Sequence, residues 1–159
     1  MKKLISALLS AALLLAASTS VFAAELPSAE TAYYELNSSS TQEISPRMNY
    51  LTSVFTDLTF IDGVAYCQGN YTIFKEYKVT LTLTIQRSSI NTTSEYYWSS
   101  VPDASWSQSW TTKGAHAIER SKSGLPTGYY YRTRTIATVY SSTGAMLESI
   151  VVKSVASYH

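Results

Sequence analysis

Two histidines, one cysteine and eleven carboxylates are all that this 159-residue sequence offers to acid–base, nucleophilic or metal chemistry. A Ser-His-acid triad needs a histidine set between a nucleophile and a carboxylate. His159 is the last residue and is expected to fray. That leaves His116, which lies in Gly114-Ala115-His116-Ala117 with no Gly-x-Ser-x-Gly around a nucleophile. A Cys67–His116 dyad would need an exposed, activated thiolate, and a buried thiol is inert. Paired carboxylates can hydrolyse glycosides, but Asp57, Asp62, Glu76, Glu95 and Asp103 are scattered over presumed loops and strand ends. The sequence has no Asp-x-Asp-x-Asp-Gly run for calcium, too few Cys and His for zinc, and no glycine-rich phosphate loop. The expectation is a chain that is not an enzyme and has no cofactor and no metal site.

The aromatic residues offer binding rather than bond-breaking. Tyr96, Tyr97, Trp98, Trp106, Trp110, Tyr129 and Tyr130 crowd the second half. An exposed cluster of rings could stack on sugar rings or anchor a protein, because aromatic groups bury much area at low entropic cost. The bland alternative makes them core residues and cross-strand pairs. Trp98 and Trp110 are assigned to the core or its margin. Trp106, following Pro102-Asp103-Ala104-Ser105, is the exposed candidate. Arg132 and Arg134 alternate with Tyr130 on one face, where they either make cation–π contacts or simply solvate that face.

The elements that must carry these residues begin after an export signal. Met1-Lys2-Lys3, an apolar run from Leu4 to Ala17 and Val21-Phe22-Ala23 follow the order of a cleavable signal peptide over residues 1–23. The apolar run is about 14 residues, short of the ~20 that span a bilayer, so no membrane insertion is expected once the signal is cleaved. Loss of Lys2 and Lys3 leaves 12 − 2 = 10 basic residues against 11 acidic ones. A balance near −1 gives no reason to expect nucleic acid as a partner. Residues 24–45, with Asn37-Ser38-Ser39-Ser40-Thr41, are expected to form a polar, flexible leader. The domain is expected over residues 46–158.

Within it the period is two. Asn49 to Phe60 and Val64 to Ile73 are predicted strands joined by Asp62-Gly63, a type I′ hairpin signal. Ala65, Cys67, Gly69 and Tyr71 then share a face, which turns Cys67 inward. Between Tyr77 and Gln86, Val79, Leu81, Leu83 and Ile85 alternate with threonines, the pattern of a half-buried strand. Tyr96-Tyr97-Trp98 is predicted as a strand and Val101-Pro102-Asp103 as a turn or loop. Short strands are expected over Trp106–Thr112 and Ala117–Lys122, and long ones over Tyr129–Tyr140 and Ala145–Ala156. Leu125-Pro126-Thr127-Gly128 lacks what a wall-sorting signal needs and is predicted as a turn. About seven short strands with regular turns predict an all-β sandwich.

Leu125, Pro126, Tyr131 and Ala137 have the spacing of the E–F turn and F strand of immunoglobulin-like and fibronectin type III domains, which this segment resembles. The resemblance makes Tyr131 a tyrosine corner, its hydroxyl bonded back to upstream backbone. Thr133 stands where antibody domains have the second cysteine, and the strand carrying Leu83 has no tryptophan. The implied fold is therefore an Ig-like sandwich of about seven antiparallel strands without the antibody-type core. Ile44-Ser45-Pro46-Arg47 and Tyr130-Tyr131-Arg132 also resemble a group of small secreted proteins of Gram-positive bacteria, which implies a fold and an extracellular address but no activity. The reading is an exported binding or interaction module for an extracellular protein or glycan. A carbohydrate-binding module using exposed Trp and Tyr, or a purely structural surface protein, stands beside it. Trp106, Tyr130, Arg132 and Arg134 are its candidate contact residues, and Tyr131, Cys67, Asp62 and Gly63 its structural ones.

Overall fold

The computed structural model describes residues 33–37 and 48–159. The expected signal peptide, most of the expected polar leader and Ile44-Ser45-Pro46-Arg47 lie outside the described residues. Asp62 and Gly63 adopt φ values of 49° and 76°, the positive pair that a type I′ turn requires. They join β2 (Leu51–Ile61) to β3 (Val64–Ile73). Ala65, Cys67, Gly69, Tyr71 and Ile73 are buried along β3, and the residues between them are not. In β4 (Lys78–Ser88), Val79, Leu81, Leu83 and Ile85 are fully buried, and Thr80, Thr82 and Thr84 occupy the opposite face. β5 (Ser99–Trp110), β6 (Gly114–Lys122), β7 (Tyr130–Tyr140) and β8 (Met146–Lys153) follow.

These seven strands pair with one another only antiparallel. The order β2-β3-β6 makes one sheet, and β8-β7-β4-β5 makes the body of the other. Seven antiparallel strands divided three and four between two sheets are the make-up of an Ig-like sandwich. Two short strands complete the larger sheet. β9 (Ser157–Tyr158) pairs with the start of β7, and β1 (Tyr33–Asn37) runs parallel to β8. β1 falls inside the stretch expected to be a leader; nothing local marks it, because its partner lies at the far end of the chain.

Three local expectations are corrected. Tyr96-Tyr97-Trp98 is not a strand: Glu95–Tyr97 is a single 3₁₀ turn. Val101-Pro102-Asp103 is not a turn between strands but part of β5. Ser100 pairs with Gln86 and Ser105 with Thr84, so Val101 to Ala104 bulge opposite Ile85 alone, with Asp103 at a φ of 55°. The bulge tucks Val101 and Ala104 into the core, and Pro102 is tolerated because β5 is an edge strand. His159 is not frayed. Its amide donates to the Tyr129 carbonyl at 3.0 Å, and its ring stacks on Phe60 at 4.4 Å.

The two sheets approach each other closely at Gly69. A Cβ there would lie 2.6 Å from Thr135 Oγ1 and 3.0 Å from its Cγ2. That contact belongs to a buried hydroxyl relay. Thr135 Oγ1 donates to Thr56 Oγ1 at 2.8 Å, Thr56 Oγ1 lies 2.8 Å from Thr133 Oγ1, and Thr133 Oγ1 donates to the Asp57 carbonyl at 3.1 Å. A second polar clamp ties β2 to β8. The buried Glu148 carboxylate accepts from the consecutive amides of Asn49, Tyr50 and Leu51 at 2.7, 3.1 and 3.0 Å.

Gly69→Ala is expected to destabilise the fold by about 1–3 kcal/mol through overpacking. In urea denaturation, Thr135→Ala should cost less in the Gly69→Ala background than alone, because it removes the clashing atoms; simple additivity of the two would sink the close-approach account.

Candidate functional site

The two residues of a Cys–His dyad, Cys67 and His116, are kept apart. Cys67 is buried, and its thiol donates to the Arg120 carbonyl at 3.3 Å. Burial pushes the thiol from an ordinary value of 9.0 up to about 11. His116 pairs with Tyr71, four positions along β3 from Cys67, or roughly 13 Å at strand rise. Its Nε2 lies 3.0 Å from the Thr112 carbonyl, and its ring stacks on Trp110 at 5.1 Å. Among the described residues no three His, Cys, Asp or Glu side chains cluster to hold a metal ion. Asp62 serves the hairpin, Asp103 the bulge, and Glu76 is exposed. Asp57 and Glu119 flank Gln68 in one cross-strand row and, with Cys67, Arg120, Thr59, Tyr66 and Ser121, line a shallow depression of about 470 Å³.

The predicted contact residues do not form one exposed strip. Trp106 pairs with Leu83 and Trp110 with Val79, both on the core-facing side of β4. Both indoles therefore turn inward and pack half-buried against the core; Trp106 is not the exposed ring that the sequence led us to expect. Tyr130 is half-buried against Tyr158, with ring centroids 5.0 Å apart. Arg134 is half-buried, in the row between Thr84 and Lys153. Tyr131 Oη donates to the Pro126 carbonyl at 2.7 Å, with Leu125 buried beside it.

Arg132 departs most from a solvating role. It lies on the face of the larger sheet that points away from the core, yet it is only 4% exposed. The connection between β4 and β5 folds back over it. Its guanidinium sits 4.2 Å from the Trp98 ring centroid, a cation–π contact. Its Nε donates to Gln86 Oε1 at 3.0 Å, and its Nη2 donates to Glu95. The same Glu95 oxygen takes Lys153 Nζ at 2.8 Å. Burial lowers the pKa of both cations, and for Arg132 the Glu95 hydrogen bond works in the opposite direction. One carboxylate thus meets two buried cations and fastens the loop to the sheet.

That fastening holds two rings in the open. Ser94 N donates to Thr92 Oγ1 at 3.1 Å, Trp98 Nε1 to the Thr92 carbonyl at 2.9 Å, and Trp98 N to the Glu95 carbonyl at 3.1 Å. The 3₁₀ turn between these anchors presents Tyr96 at 89% exposure and Tyr97 at 51%, their centroids 5.3 Å apart in an edge arrangement. Large rings on a loop already ordered by its own contacts lose little further entropy on meeting a partner. Both tyrosines belong to the aromatic crowd that the sequence places on a strand, and alternation alone does not single out Gln86, Glu95 or Lys153. The available signal was Glu95 standing between polar Ser/Thr residues and a Tyr-Tyr-Trp run, with paired cations on a later alternating strand.

Glu95→Ala should lower stability by about 2 kcal/mol, the scale of a lost charged hydrogen bond, with Glu95→Gln losing less; equal, negligible losses in thermal melts would remove the clamp from the argument. Alkali provides a separate check. The folded Cys67 thiol holds its proton more tightly than the unfolded one, so this stabilisation is complete below about pH 9 and is lost as pH rises through about 11. The stability of Cys67→Ala should fall less steeply across that window than that of the natural protein, as followed by urea midpoints.

No protein-family model matches this chain, and no curated protein matches it. Among solved structures it is similar to the solution structure of R. palustris CsgH, with 11% identity over 63% of this chain and 87% of that one and a TM-score of 0.38. A likeness of that size bears on neither fold nor function.

Proposed function

We propose that this chain is an exported, non-catalytic binding module whose contact surface is centred on Tyr96 and Tyr97. The observation that carries the reading is the pairing of exposure with bracing: two large rings stand in solvent on a turn that Glu95, Trp98 and Thr92 tie to the sheet. Exposed aromatic side chains in a pre-ordered setting are the usual anchors of protein and glycan recognition. Export rests on the sequence of residues 1–23. Among the described residues no helix is long and apolar enough to cross a membrane. A purely structural role would be served by the Thr/Ser-lined outer face instead, where Thr80–Ser109, Thr82–Ser107 and Thr84–Ser105 are hydrogen-bonded side chain to side chain at 2.8 to 3.1 Å.

The test presents the domain to a glycan array, to cell-wall preparations and to proteins of the culture medium, alongside Tyr96→Ala/Tyr97→Ala and Trp106→Phe. Binding should fall at least tenfold in the double variant, which is ~1.4 kcal/mol, and should survive Trp106→Phe. Binding that survives loss of both tyrosines would move the site elsewhere, and no binding to any of the three would favour the structural role.

A further inference from the structure

The edges of the two sheets differ in charge. An unpaired edge is a template for another strand, and natural proteins commonly protect it with lysine, other charges, proline or bulges. β6 carries Glu119, Arg120 and Lys122, and β2 carries Asp57. β5 is different. It pairs with β4 on one side, and among the described residues no strand pairs with its other side. Its Pro102 and Asp103 lie in the bulge, so protection ends there. From Ala104 to Trp110 the strand reads Ala-Ser-Trp-Ser-Gln-Ser-Trp, without a charge or a proline.

We propose that this edge docks a second copy of the same strand, antiparallel, about a two-fold axis at Ser107. Ser107 is the midpoint of the uncharged stretch, so this register pairs residues 104 to 110 and keeps Pro102 and Asp103 of both bulges outside the interface. It is also complementary in size and chemistry. On the inward side, each half-buried Trp110 falls opposite Ala104 of the other copy, and each Trp106 falls opposite Gln108. On the outward side, Ser105 meets Ser109 and Ser107 meets Ser107. The rows Thr80–Ser109, Thr82–Ser107 and Thr84–Ser105 of one molecule then continue into the same rows of the other. An uncharged edge meets its own copy without charge repulsion in any register, whereas β2 and β6 carry charges that have to be matched. The 3₁₀ turn with Tyr96 and Tyr97 precedes the paired stretch and remains free, so the dimer carries two copies of the surface discussed above without depending on that reading.

Sedimentation velocity across a concentration series, on the domain lacking residues 1–23, tests this with Ser107→Lys and Ser107→Glu. Position 107 is exposed, and circular dichroism and thermal melts serve as the folding control. The natural sequence should dimerise reversibly. Each variant alone should associate about fivefold or more weakly, because like charges directly opposite one another repel. An equimolar mixture of the two should dimerise again, because the axis at residue 107 sets Lys against Glu. A natural sequence that remains monomeric up to millimolar concentration would overturn the proposal. So would folded variants that dimerise unchanged, or a mixture that fails to recover association.

Discussion

One close contact, the seat of Thr135 on Gly69, limits what can stand between the two sheets. A side chain of any kind at position 69 would strike Thr135 within hydrogen-bonding distance, so the glycine lets the sheets close, and the threonine uses the closure to reach Thr56. From Thr56 the relay passes to Thr133 and ends on the Asp57 carbonyl. A buried hydroxyl left without a partner is costly, and here a backbone carbonyl terminates the chain of donors. Thr133 occupies the strand position that antibody domains give to a cysteine, so a directional polar lock stands where those domains have a covalent bridge. Such a lock works only at one spacing and one register. The apolar rows of β3 and β4 on either side are therefore held in a single alignment.

The same sheet is built differently on its other face. Thr80, Thr82 and Thr84 satisfy their hydroxyls against serines of β5 and need no cover. A little further along, Gln86, Ser88 and Arg132 lie under the folded-back connection and are nearly as buried as the core. A cation removed from water is tolerable only if charge and hydrogen bonds are restored to it. Trp98, Gln86 and Glu95 restore them, and the need to do so fixes the path of the loop. The exposure of Tyr96 and Tyr97 is thus a consequence of the burial of Arg132: the clamp that neutralises the cation also aims the turn outward.

What the sequence makes legible follows from period and turn chemistry. Val79 to Ile85 alternate without interruption, Asp62-Gly63 can hardly be anything but a tight hairpin, and the spacing of Leu125, Pro126 and Tyr131 places the phenol near the turn whose carbonyl it reaches. Alternation says which residues share a face but not what lies over that face. Arg132 and Arg134 are neighbours on one side of β7, and only the long-range return of residues 89–98 makes one buried and leaves the other half-open. Trp106 misleads for a related reason. Proline and aspartate before it signal a turn in isolation, but on an edge strand they make a bulge, and the bulge resets which way the next residue points. β1 was beyond any local signal, since it exists only as a partner for β8.

The bulge then has two consequences that pull in different directions. By inserting Val101 to Ala104 opposite Ile85, it fills the core with Val101 and Ala104 and turns Trp106 and Trp110 inward, where they close the margin of the sandwich. By ending at Ala104, it leaves the rest of β5 straight, uncharged and open along one side. A protein selected only against self-association would place a charge at Ser105, Ser107 or Ser109, where the side chains point outward and the core would not register the change. Serine at all three positions is instead what the hydroxyl rows require, because each serine is the partner of a threonine on β4. The outward face and the edge thus share their residues, and whatever fixes the first also leaves the second unguarded.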